Sequence, residues 1–479
     1  MDKYKKLASN TIIFAIGAFS SKLLTILLTS FYTRVMATGD YGGATLIQNA
    51  VNILMPVVTL AVNSAVLRFT LDKATDKKAV FTTGVATTLI GFAIFCLFAP
   101  FVMMIKINDF DLGRYFMLLY VMLLGTSLRE LTQQFIRGMG HVKVYAIDGV
   151  IATGTSALFT ILYLGVFKLG INGYILAIFT SDMLSVAFMF IAVKCWKYLD
   201  FRRGLKKDLT KAMLKYCIPL IPTIILWWII NVSDQYIVTY FNGVAMSGIY
   251  TAAYKIPNLI AIFATIFINA WQLSAVDEYD SAGKAEFFSN VFKVYSGGLL
   301  VIGACLITGS RLITSVYLGP DYYESWYYEP VLVIATTFSN LVNFYASIYM
   351  AEKKSVLAML TAGTGAVTNI ILNFILIPKM GPQGAAIATA VSFVLVFVIR
   401  VFNTKKFVNI KINYVKFMLS FVMMLCSVFV MQKEICGEWG SFAISLAFTM
   451  AIVIINIGSV IDIVKLVFDK LLKKRGENA

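Results

Sequence analysis

The sequence predicts an all-α, polytopic membrane protein with fourteen transmembrane helices, and three observations predict it. Of the 479 residues, 59% are hydrophobic and only 14% charged, whereas a soluble domain carries about a quarter charged residues. Mean hydropathy is +0.80. Apolar runs of about 20 residues recur from end to end, each long enough to cross roughly 30 Å of hydrocarbon as a helix, and they lack the strict alternation of barrel strands.

The first run follows Asp2-Lys3-Tyr4-Lys5-Lys6 and extends past Lys22. It is too long for a signal peptide and reads as an uncleaved first span. Six spans are expected near residues 9–34, 44–70, 79–105, 115–136, 147–168 and 173–194. After a basic stretch from Lys194 to Lys215, six more are expected near 217–241, 248–276, 291–313, 329–350, 356–377 and 384–401. The last two fall near 414–432 and 441–464. This divides the chain into an N-lobe (1–200), a basic linker (201–216), a C-lobe (217–402) and a two-span tail (403–479).

Lysine and arginine fix the expected orientation, because short loops rich in them remain in the cytoplasm. With the N- and C-termini inside, most of the 41 basic residues fall in cytoplasmic segments, including Arg202-Arg203 and Lys473-Lys474-Arg475. The +16 net charge is thereby explained by topology, without nucleic-acid binding. The six cysteines are scattered without a CxxC pair, and His141 is the single histidine. Neither a disulfide framework, a metal site nor histidine-based catalysis is indicated.

An internal repeat organises the spans. An offset of 206 residues places Gly42 on Gly248, Asn52 on Asn258, Thr59 on Thr265 and Asn63 on Asn269. An offset of 211 places Lys143 on Lys354, Gly170 on Gly381 and Gly173 on Gly384. Spans 1–6 therefore resemble spans 7–12, and since spans 1 and 7 start on the same side, the two six-helix repeats are parallel.

Polar side chains that face lipid are costly, so stripes at helical spacing mark faces turned to protein or water. Such stripes occur on spans 1 (Lys22, Thr25, Thr29, Tyr32), 2 (Gln48, Asn52, Thr59, Asn63), 7 (Thr223, Trp227, Asn231, Asp234) and 8 (Lys255, Asn258, Thr265, Asn269, Gln272). A cavity between the lobes, lined by these four spans, is expected. Single Asn or Thr residues also serve as helix–helix glue, but a mid-span Lys22 calls for water or an anion. Lys255 can snorkel to the interface or pair with Asp234. Arg129-Glu130 is expected to pair locally, and Asp182 has no evident partner, which makes it a candidate proton or sodium site. Pro56, Pro219, Pro222 and Pro257 lie in or at the ends of the striped helices, where each removes a backbone donor.

The chain resembles the polysaccharide-transport (Wzx-type) branch of the multidrug/oligosaccharidyl-lipid/polysaccharide exporter superfamily over essentially its whole length. The residues that carry the resemblance are Ser20-Ser21-Lys22-Leu23-Leu24, Thr33-Arg34, Asp40-Tyr41-Gly42, Arg137-Gly138-Met139-Gly140, Ser233-Asp234-Gln235, Gly248-Ile249-Tyr250, Ala253-Tyr254-Lys255 and Gly381-Pro382-Gln383-Gly384-Ala385-Ala386. Many relatives have Asp-Arg where this chain has Asp234-Gln235, so one expected cation is missing. The resemblance implies a two-lobed flippase, not an enzyme, in the bacterial cytoplasmic membrane. It would move an undecaprenyl-diphosphate-linked oligosaccharide outward by alternating access, for surface polysaccharide assembly. Membrane lipid, a polysaccharide polymerase and glycosyltransferases are the implied partners. No cofactor is expected; proton or sodium coupling, or the membrane potential, would supply energy. Lys22, Arg34 and Lys255 suit the diphosphate, Asn52, Asn63, Asn258, Asn269 and Gln272 the sugars, and Asp234 and Asp182 ion coupling or gating. A lipid-linked peptidoglycan precursor is a competing cargo. A cation-coupled drug exporter would favour carboxylates on the first striped helix, where Lys22 stands, and a membrane enzyme would need clustered carboxylates or histidines on a sizeable loop.

Overall fold

A computed structural model describes residues 24–461 apart from 25, 73, 202–203, 278–282, 353 and 460. The chain is all-α and divides into two compact units, Met1–Gly248 and Ile249–Ala479. Helices stand at all fourteen expected places, the first being described only from residue 24 onward. Ten described helices are long and apolar enough to cross a membrane, and one bent pair raises this to eleven.

In the first unit, α1 (Thr38–Val58) and α2 (Val62–Leu71) share the second span. They are followed by α3 (Lys77–Cys96), α4 (Phe116–Gly138), α5 (Val142–Thr160), α6 (Gly170–Val193), α7 (Lys207–Cys217) and α8 (Ile221–Asn242). Next come α9 (Val244–Ala253), α10 (Asn258–Asp277), α11 (Lys284–Tyr317), α12 (Glu329–Ala351), α13 (Ser355–Met380) and α14 (Pro382–Thr404). The last two are α15 (Tyr414–Lys433) and α16 (Gly437–Ile455). A two-residue hairpin, β1 (Lys106–Ile107) and β2 (Phe110–Asp111), caps the third span. Its turn holds Asn108 at φ +52°, a left-handed conformation that asparagine tolerates.

Two expected single spans are broken. The chain bends by 58° between α1 and α2, where Leu60 and Ala61 both have φ +52°; each non-glycine residue there costs about 1 kcal/mol. Pro56 lies four residues before this point, and Gly91 of α3 faces the carbonyl of Val58 so closely that a Cβ would overlap it. The second break, Tyr254–Pro257, separates α9 from α10 at a proline without a donor. By contrast α7, the short turn containing Pro219, and α8 run on as one 36-residue apolar helix. Met213 and Cys217 of α7 are buried in the same core as Val66, Phe81, Leu131, Phe135 and Met189.

The repeat is visible in which helices touch. In the first half α4 packs on α6, α5 on α6, and α2 on α4; in the second half α12 packs on α14, α13 on α14, and α10 on α12. These are the same span pairs, six positions apart. Gly42 and Gly248, equivalent under the 206-residue offset, meet reciprocally: a Cβ on Gly42 would overlap the carbonyl of Val244, and one on Gly248 that of Thr38. Thr38 and Val244 are themselves 206 residues apart. Only glycine lets two helix starts approach this closely.

Contacts at the helix ends agree with alternating topology. Lys206 pairs with Asp76 at 3.0 Å, and Thr82 Oγ1 donates to the Tyr198 carbonyl, which puts the basic stretch beside the α2–α3 turn. At the opposite ends, the Val244 amide donates to Asp109 Oδ1 and Asn108 Nδ2 to the Thr239 carbonyl. The hydrogen bond from Lys206 holds the exposed Asp76 carboxyl below the usual aspartate range. Its small contribution is therefore present above the unfolded pKa and lost as pH falls through the depressed folded value.

Replacing either Gly42 or Gly248 by alanine is expected to destabilise the protein by about 1–3 kcal/mol, with similar falls in melting temperature in detergent because the contact is reciprocal. A variant of either that melts with the parent would contradict the close approach.

Candidate functional site

The polar groups of the first unit form two arrays. In one, α8 is bonded along α1. Gln235 Nε2 donates to Thr45 Oγ1 at 2.7 Å, and Asn49 Nδ2 to Gln235 Oε1 at 2.6 Å. Trp228 Nε1 donates to the Asn49 carbonyl at 2.9 Å and the Tyr236 hydroxyl to that of Leu46 at 2.8 Å. Gln48 accepts from the Tyr174 hydroxyl at 2.8 Å, beside a group of three rings, Tyr32, Tyr41 and Tyr174. Much of the polar face of the second span thus acts as helix–helix glue. Gln235, standing where a cation was expected, joins Trp228 and Tyr236 in bridging the two helices.

The second array is charged. Thr126, Arg129 and Gln133 are spaced by three and four residues on α4 and share a face. Arg129 Nη1 lies 3.2 Å from Asp182 Oδ1 on α6, Arg129 Nη2 3.7 Å from Asp148 Oδ2 on α5, and Arg129 Nε 3.1 Å from Ser185 Oγ. Thr126 Oγ1 donates to Asp182 Oδ2 at 2.8 Å, Gln133 Nε2 to Asp148 Oδ2 at 3.2 Å, and Ser185 Oγ to Asp148 Oδ1. The side chain of Arg129 is 27% exposed and those of Asp148 and Asp182 are 0% and 6%. The expected local Arg129–Glu130 pair is not what forms. Neighbours in a helix point about 100° apart, so Arg129 reaches across to α5 and α6, and Asp182 does have a partner. Two carboxylates against one guanidinium leave the array acidic.

Other predicted residues are dispersed. The 58° bend prevents Asn52 and Asn63 from sharing a face: Asn52 is exposed and Asn63 buried. Arg34 is exposed and Asp234 buried. On α8, Thr223, Trp227 and Asn231 form an exposed row. In the second unit, Lys255 is partly buried in the break before α10 and Asn258 is exposed at its start. Lys22 and Thr25 lie outside the described residues, as do the side chains of Asn269 and Gln272. Among the described residues, no group of three or more His, Cys, Asp or Glu side chains is placed to hold a metal ion.

Two features went unread in the sequence. Arg400 of α14 is 1% exposed; its Nη1 donates to the Val342 carbonyl at 2.8 Å, Nε to Thr361 Oγ1 at 3.1 Å and Nη2 to the Ala358 carbonyl at 3.3 Å. Buried Asn369 and Asn373, four residues apart on α13, are bonded to each other at 3.0 Å, and Asn369 reaches Thr389 of α14 at 3.1 Å. An i, i+4 asparagine pair and an arginine inside Ser392–Asn403 are both visible as signals.

A multi-pass, all-α membrane protein built on two six-helix repeats is thereby defined. It belongs to the family described as Polysaccharide biosynthesis protein, whose pattern matches residues 7–272, more than half of the chain. A curated relative, the probable flippase AglR of Haloferax volcanii, is 30% identical over 175 residues. That match covers 34% of this chain and 35% of the relative, so the chain spans about a third of the relative's length. Among solved structures, the lipid II flippase MurJ in an inward closed conformation aligns with TM-score 0.72 at 17% identity, covering 95% of this chain and 100% of that one. An inward-facing multidrug resistance MATE family transporter of the MOP superfamily aligns with TM-score 0.65 at 13% identity, covering 81% and 95%. At these identities the likeness is one of fold.

Replacing Arg129 by glutamine strands two buried carboxylates and is expected to cost about 3 kcal/mol, read as a fall in melting temperature. Adding Asp182→Asn should recover most of the loss. If the two changes are additive, the pair is not coupled.

Proposed function

We propose that this protein is a flippase that carries an undecaprenyl-diphosphate-linked oligosaccharide from the inner to the outer leaflet of the bacterial cytoplasmic membrane, for surface polysaccharide assembly. The observation that carries the proposal is the family match over residues 7–272. The flippase relative and the fold shared with a lipid II flippase support a lipid-linked cargo over an organic cation. The distribution of basic residues supports a cytoplasmic location for both termini.

In this reading Lys22, with Arg34 and Lys255 as helpers on the outward path, contacts the diphosphate. Asn52, Asn63, Asn258, Asn269 and Gln272 contact sugars. Asp234 takes part in gating. Asp182 belongs to ion coupling together with Asp148 and Arg129, whose surplus negative charge a proton or sodium ion neutralises. The membrane potential assists as well, since moving two negative charges outward is favourable by roughly 2.3 kcal/mol per charge per 100 mV. Glycosyltransferases that build the cargo and a polymerase that consumes it are the expected partners.

Lys22→Gln is expected to abolish surface polysaccharide at normal protein abundance, while Lys22→Arg retains much of it; full export by Lys22→Gln would remove Lys22 from the mechanism. Purified protein in vesicles should move a lipid-diphosphate oligosaccharide. Movement of only a lipid-linked peptidoglycan precursor would reassign the cargo. In a background lacking the native cysteines, Asp109→Cys and Glu438→Cys are expected to react with an impermeant thiol reagent on whole cells and Lys206→Cys is not. The reverse pattern would invert the topology.

A further inference from the structure

Glu329 is the first residue of α12 and its side chain is completely buried. Both of its hydrogen bonds are made through Oε1, at 2.7 Å to Thr314 Oγ1 of α11 and 3.1 Å to Ser325 Oγ of the short 3-10 helix Pro320–Tyr327. Its second oxygen, Oε2, is sealed from solvent and has no hydrogen-bond partner. Among the described residues no cation is paired with it. Arg311, on α11 one turn from Thr314, is turned to Glu434 and Glu438 and stacks 3.8 Å from the ring of Trp326. The other acid bonded on that segment, Glu324, accepts from the Tyr328 hydroxyl at 2.8 Å.

The hydrogens on these atoms can be counted. A threonine hydroxyl has one hydrogen and can donate once. Thr314 Oγ1 lies 2.7 Å from the carbonyl of Ser310, one turn back in its own helix, as well as 2.7 Å from Glu329 Oε1. Threonines within helices commonly donate to that carbonyl. With the Thr314 hydrogen committed there, the contact with Glu329 needs a hydrogen from the carboxyl itself. The start of a helix favours a negative side chain, but that effect is small beside the penalty for a buried carboxylate with an unsolvated oxygen and no counter-ion. The hydrogen count and the desolvation penalty both require a neutral carboxylic acid.

We infer that Glu329 is a proton-binding site, occupied at neutral pH, on the membrane face that the basic-residue distribution assigns to the exterior, and that the bound proton latches segment Pro320–Tyr327 to α11 and α12. The carboxyl donates to Thr314, Ser325 donates back to the same oxygen, and three elements are joined at one group. Loss of the proton leaves a charge that only water can solvate. Lifting the segment that bears Ser325 would let water in to the carboxylate. External alkalinity therefore opens this end of the second unit. The site is separate from every residue given a role in transport above, and its test does not depend on the identity of the cargo.

The test uses the full chain in detergent. Infrared spectra of the parent at about pH 7 are expected to show the carbonyl band of a protonated, buried carboxyl that disappears on alkalinisation. Glu329→Gln, which keeps shape and neutrality, should lack that band and keep the parental melting temperature at about pH 6. Because the folded state holds a proton that the unfolded chain releases, stability of the parent must fall as pH rises through the folded value, and that of Glu329→Gln must fall less. Thr314→Val, which leaves the carboxyl but removes its partner, should shift the band and serves as the readout if Glu329→Gln does not fold. An unaltered band in Glu329→Gln or Thr314→Val, no protonated-carboxyl band at neutral pH, or parallel alkaline loss of stability in the parent and Glu329→Gln would overturn the inference.

Discussion

Hydrocarbon offers no hydrogen bonds, and every polar group placed in it must be answered by the protein itself. Where the described residues meet this demand, they do so at three levels. Hydroxyls are quenched within their own helix, as where Thr45, Thr132, Thr337, Ser392 and Thr404 donate to the carbonyl four residues back. Amides and indoles are answered by a neighbouring helix, as along α1 and α8. Guanidinium groups need more donors answered than one helix can supply, so Arg129 gathers α4, α5 and α6, and Arg400 gathers α12, α13 and α14. These are the same three spans in each half, joined by different chemistry: carboxylates around Arg129, and a hydroxyl with two carbonyls around Arg400.

The large apolar residues follow the complementary rule. Leu97 at 76%, Met104 at 81% and Trp439 at 82% are among many that are exposed, as expected where the solvent is lipid and exposure of a leucine carries no penalty. Burial in such a protein is reserved for close packing and for polar groups. That is why glycines line the tightest approaches and why, among the described residues, the largest fully buried side chain is an arginine.

Span positions and the repeat were legible because hydropathy and composition record them directly, down to Gly42 and Gly248 as equivalent positions. Breaks were less so. Pro56 announces an irregularity, but the chain turns four residues later at Leu60 and Ala61, neither of which favours a left-handed conformation. Beside that turn Gly91 of α3 lies so close to the Val58 carbonyl that a side chain would not fit. The charged array was half legible: Arg129 and Asp182 each stood out as ionisable groups inside apolar runs, yet their pairing requires three helices to converge and no spacing along one helix reports it. Nothing in the sequence sets Glu329 apart at the start of its span. Only the packing of Pro320–Tyr327 over it reveals how deeply it is set.

The basic stretch that divides the sequence does not divide the structure, since α8 lies beyond it and is hydrogen-bonded to α1 within the first unit. This has a consequence for biosynthesis. When α6 has left the ribosome, the unit still lacks a helix that some fifty further residues must deliver, a delay of roughly 3–10 s at ordinary translation rates of about 5–20 residues per second. During that interval Thr45, Asn49 and the other groups of α1 that α8 will answer stand in the membrane without it. The order of the chain thus leaves this polar seam of α1 open until α8 is delivered.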